Sequence, residues 1–155
     1  MSESYEVVLQ QIAVGDLFML LKLIEAESQE LANLAASEDF GKIDIAGINK
    51  ALIDAFFAYE GDVCLTGKLH GFKISEAVCL PLVLLRVIKY KGEVDVELSF
   101  NEIPSLDIGR IMLAMQVYAD GLSKRFDIKE FYGGLEPAAD IDTRYFTGGA
   151  LGRLD

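Results

Sequence analysis

One histidine, two cysteines and no long apolar run leave this chain of 155 residues with little recognisable chemistry. An activated nucleophile usually needs an imidazole oriented by a third group. His70 stands between Leu69 and Gly71 with no motif around it, and it reads as a surface or half-buried strand residue. There is no Cys-x-x-Cys and no histidine pair, so spacing locates no metal site and no cofactor is expected. Cys64 and Cys79 lie among apolar neighbours and read as reduced core thiols of a cytoplasmic protein. The longest uncharged apolar run is Ala77–Leu85, far short of the roughly 20 residues of a helical membrane span. Glu3 and Glu6 stand where an export signal would be basic. Positive charge is scarce as well. Fourteen Lys and Arg face 25 Asp and Glu, a formal charge of −11, which argues against nucleic-acid binding by phosphate neutralisation.

What the chain does have is apolar bulk and an uneven distribution of acid. The apolar fraction is 52%, well outside the disordered class, and the length suits a single domain over residues 1–155. Residues 1–62 carry twelve Asp and Glu against Lys22, Lys42 and Lys50, whereas the remaining 93 residues are nearly balanced at thirteen to eleven. The strongest electrostatic feature is therefore N-terminal.

Helical spacing of Leu17, Leu20, Leu21, Ile24, Leu31 and Leu34 predicts a first helix over about Asp16–Ala36. Ile45, Ile48, Leu52, Phe56 and Tyr59 predict a second over about Asp44–Tyr59, with Asp44 as its cap. A short polar linker would join them as a hairpin. The period then changes to two. Val63–Thr66 and Leu69–Ile74 read as short strands, Val78–Tyr90 as a longer one, and Val94–Phe100 alternates cleanly between apolar and polar residues. A tight turn at Lys91-Gly92 would place Val87 opposite Val96, Leu85 opposite Leu98 and Arg86 opposite Glu97. Leu84, Ile88 and Tyr90 then share the outer face, where a helix, neighbouring side chains or a second subunit must cover them. A third helix is predicted over about Ser105–Phe126, and residues 127–155, which show no sustained period, read as an extended arm. The expected class is α+β: an N-terminal helical hairpin (1–62), a central antiparallel sheet of three or four strands (63–103), a long helix after the sheet (104–126) and a C-terminal arm (127–155).

Two local patterns mimic catalytic motifs. Asp140-Ile141-Asp142-Thr143 matches an Asp-x-Asp-x-Thr used in phosphoryl transfer, but Glu136-Pro137-Ala138-Ala139 before it makes a poor buried strand and too little chain follows. A turn or cap role for the two aspartates suffices. Gly148-Gly149-Ala150-Leu151-Gly152 lacks the following helix that a phosphate loop requires. What remains is the acidic surface. It either keeps an apolar protein in solution or forms a patch for a basic protein partner, with Glu25, Glu27, Glu30, Glu38 and Asp39 as its carboxylates. The first expectation is a non-enzymatic interaction module, most specifically an inhibitor or immunity-type protein. The alternative is a homo-oligomeric structural or accessory protein, a homodimer joined through Leu84, Ile88 and Tyr90. A third reading is an enzyme or small-ligand binder with its site near the arm, at Asp140, Asp142, Arg144 and Tyr145.

Overall fold

Strands interrupted by three helices make up a computed structural model that describes residues 3–41 and 45–152. In chain order they are β1 (Ser4–Ile12), α1 (Leu17–Ala26), β2 (Glu30–Ala36), α2 (Lys50–Ala58), β3 (Val63–Lys73), β4 (Cys79–Tyr90) and β5 (Glu93–Asn101). There follow α3 (Ile108–Arg125), β6 (Ile128–Leu135), β7 (Arg144–Thr147) and β8 (Ala150–Leu151), with single 3-10 turns at Val14–Asp16 and Ile141–Thr143. All strands join one antiparallel sheet of eight in the order β2-β3-β4-β5-β1-β6-β7-β8.

The class is α+β, but the expected layout is corrected in four respects. The sheet has eight strands rather than three or four. The helical hairpin does not form, because β2 separates α1 from α2. The long helix does not follow the sheet; it connects β5 to β6. The arm is largely sheet, since β6, β7 and β8 lie within it.

Each correction has a local cause. Tyr5 through Leu9 of β1 are all buried, so this strand shows no alternation by which to recognise it. It lies at the centre, between β5 and β6. The α1 helix ends at Ala26, and the good helix formers of Glu30–Ala36 are drawn into the sheet. Leu31 and Leu34 are both buried although three residues apart, because the pairing with β3 shifts between Ala32 and Ala35 and Asn33 takes a positive φ of 55°. A β-bulge thus imitates helical spacing. Asp44 lies outside the described residues; the cap of α2 is Asn49, whose side chain accepts from Leu52 N at 2.8 Å. α3 begins at Ile108 rather than at Ser105, and Asp107 caps it by accepting from Gly109 N at 3.0 Å.

The β4–β5 hairpin has the expected register. Leu85 pairs with Leu98, Arg86 with Glu97 and Val87 with Val96, and both turn residues have positive φ, Lys91 at 51° and Gly92 at 81°. All three helices pack on one side of the sheet. Leu17, Leu20, Leu21 and Ile24 of α1, Leu52 and Phe56 of α2, and Met112 and Met115 of α3 share one core with Leu85, Val87, Val96 and Leu98. Strand alternation also turns Lys89 to this side. Its ammonium meets the end of α2 and donates to the carbonyls of Phe56 at 2.9 Å, Phe57 at 3.3 Å and Tyr59. These are the acceptors that a helix C-terminus leaves unpaired.

Candidate functional site

Among the described residues no helix lies on the opposite side of the sheet. Its side chains follow from the strand registers as transverse rows, each step about 4.8 Å. One row runs Lys68, Leu84, Ser99, Glu6; the next runs Thr66, Arg86, Glu97, Val8, Tyr132; a third begins Cys64, Ile88, Asp95. Residues 136–143 cross the far end of this face, where Ala138 closes a small cluster with Val8 and Tyr132. Among the described residues nothing comparable covers β4. Leu82 is 40% exposed, Leu84 42% and Tyr90 56%, while Ile88 is half-buried. The three residues expected to need a cover therefore share an open face.

Carboxylates border this apolar strip. Arg86 donates to Glu97 at 3.1 Å. Burial pushes the Glu97 carboxyl above its ordinary pKa; Arg86 opposes that shift, while Glu6, Asp95 and Glu136 reinforce it. Glu6 is itself buried, and its Oε2 accepts from Ala138 N at 2.8 Å. Asp95 accepts from Gln11 N at 2.9 Å. At one end of the strip an open trough of about 230 Å³ is lined by Leu82, Leu84, Arg86, Ser99, Glu102 and Glu136, among others. An apolar floor with an acidic border can hold the stem of a lysine or arginine and receive its charged end.

The five carboxylates expected to form one N-terminal patch are not brought together. Glu25 is half-buried and tied inward, with Lys22 at 2.8 Å and Ile48 N at 3.2 Å. Glu27 caps α1, and its carbonyl accepts from Lys73 N. Glu30 begins β2, whereas Glu38 and Asp39 follow its other end, roughly 20 Å away for a strand of this length. Glu38 lies near the Tyr59 hydroxyl, and Asp39 accepts from Gly41 N at 2.8 Å.

The arm residues divide between the two sides of the sheet. Asp140 caps the turn at Ile141–Thr143 by accepting from Asp142 N at 3.0 Å. Arg144 lies 3.8 Å over the Tyr132 ring and donates to the carbonyls of Ala138 and Ala139 and to Thr147 Oγ1, so its guanidinium holds residues 136–143 in place. Tyr145 sits on the α3 side, its ring centroid 6.3 Å from that of Tyr5. Among the described residues, no three His, Cys, Asp or Glu side chains are grouped as metal ligands, and no helix is long and apolar enough to cross a membrane.

The outward row Glu93, Asp95, Glu97 was visible in the alternation of β5. Glu6 and Glu136 were not, because they reach the same face from β1 and from the segment after β6.

An acidic, helix-backed sheet with one open face defines a protein-interaction module. A family model described as PABL017 Cdi1I immunity protein matches residues 3–150, and the chain belongs to this immunity-protein family. It is also similar to a chain in a crystal structure of the toxic C-terminal tip of CdiA from Pseudomonas aeruginosa in complex with immune protein. The identity is 41%, the TM-score 0.93, and all of both chains is covered. No curated protein matches the chain.

Proposed function

We propose that this immunity protein neutralises a CdiA-type toxin tip by binding it stoichiometrically, without catalysis, and that the toxin surface it meets is basic. The supporting observation is its full-length similarity to a chain from the complex of the P. aeruginosa tip with its immune protein. The formal charge of −11 supports the sign of the partner surface. Cys64 is half-buried and Cys79 exposed, not in the core as expected, and their free thiols are compatible with action in the cytoplasm. The test is titration of the P. aeruginosa CdiA tip with this chain, together with growth of cells that express the tip with and without it. A 1:1 complex and rescued growth are expected. Absence of a complex at low salt would overturn the reading.

A further inference from the structure

Three features of the open sheet face bear on what docks there. It lacks a helix across β4 and β5. Its centre is apolar, with Leu82 and Leu84 more than a third exposed. Its border is acidic: Asp95, Glu97, Glu102 and Glu136 surround Arg86, with Lys68 one strand further out. A monomeric protein rarely leaves such a strip uncovered without an interaction in view.

Resting on the immunity reading above, we propose that the open face of β4 and β5 is the surface that receives the toxin tip. A Lys- or Arg-bearing segment of the toxin lays its aliphatic stems across Leu82 and Leu84 and directs its cations to Glu97, Glu102 and Glu136. Charge complementarity selects this occupant. A second copy of the chain, brought face to face by a two-fold axis, would set one acidic border against another and repel. The carboxylates near β2 are split between its two ends and, on this proposal, act on the approaching toxin through the field.

Carboxyl-group footprinting of the wild-type chain tests this with the P. aeruginosa CdiA tip as probe. On complex formation Glu97, Glu102 and Glu136 should become protected from carbodiimide-driven amidation, while Glu30, Glu38 and Asp39 remain modified. The double variant Glu102→Lys, Glu136→Lys should bind about a hundredfold more weakly, and Leu84→Arg at least about tenfold. The melting midpoints should stay within about 2 °C of wild type, as surface changes allow. The reverse protection pattern, or a complex that leaves all six carboxylates modified, overturns the surface while leaving the immunity reading intact. Failure to form any complex overturns the immunity reading itself. A free chain that is dimeric by light scattering and becomes monomeric with Leu84→Arg would identify a second copy as the occupant instead.

Discussion

Lys89 shows how one side chain can serve the fold against its own chemical preference. An ammonium on the helix-covered side of a sheet is costly unless its donors are taken up, and here three carbonyls at the end of α2 accept them. The rings of Phe56 and Tyr59 lie about it at 5.8 and 6.0 Å, adding attraction for the cation. Lys89→Met keeps the stem and removes the donors, so the carbonyls lose a charged partner. The expected loss is about 2–3 kcal/mol, read as a lower midpoint in urea unfolding; an unchanged midpoint would refute the capping role. Glu97 makes a prediction of a different kind. Its carboxyl is raised in the free protein by burial and by Glu6, Asp95 and Glu136, against the pull of Arg86. A docked cation favours the ionised form, so docking lowers the pKa. Toxin affinity should therefore be full above the free-protein pKa and decline as pH falls through it. Glu97→Gln should flatten that decline, and a profile identical to wild type would exclude Glu97 from the contact.

Elements whose two faces differ were legible, and those governed by distant partners were not. The β4–β5 hairpin alternates because one side packs on helices and the other is open, and its register followed from the Lys91-Gly92 turn with the facing apolar and charged pairs. The buried stripe Ile111, Met112, Met115, Ala119 and Leu122 identified α3 for the same reason. In β1 both faces are covered, by helices on one side and partly by residues 136–143 on the other, so the pattern vanished. In β2 the bulge converted a strand into apparent helical spacing. The same limit applied to the site: acidity and the exposed strip on β4 were readable, but the convergence of β1, β5 and the segment after β6 was tertiary. That segment depends on a close backbone approach. A Cβ at Gly134 would lie 2.1 Å from Thr143 O and 2.7 Å from Arg144 Cα, backbone that cannot swing aside. Gly134→Ala should part β6 from β7 at a cost of about 1–3 kcal/mol. It should also raise hydrogen exchange at Phe146 and Thr147; wild-type protection there would contradict the packing. A smaller effect is expected at α2, where Asn49→Ala removes the cap and about 1 kcal/mol, measurable by thermal unfolding.

At the scale of the whole molecule, net charge and local charge pattern separate. The N-terminal carboxylates are dispersed to the end of α1 and both ends of β2 rather than gathered in one patch. The monopole survives this dispersal, because a charge of −11 acts on an approaching basic body wherever its members sit. Encounter and grip should then respond differently to salt. Screening shortens the reach of the field to about 10 Å at 0.1 M ionic strength, less than the width of the protein but more than the distance across a docked ion pair. Raising NaCl from about 20 to about 500 mM should slow toxin association by roughly ten- to a hundredfold. Dissociation should change much less, because docked pairs at the sheet face are partly sheltered from solvent. Glu30→Lys or Glu38→Lys should lower the association rate by less than about threefold and leave dissociation unchanged, since each alters a large field slightly. Glu136→Lys should mainly speed dissociation. Stopped-flow measurement of both rates across the salt series decides the matter. Association independent of salt would remove steering from the account, and a large dissociation effect at Glu30 or Glu38 would move the contact to the edge of the sheet.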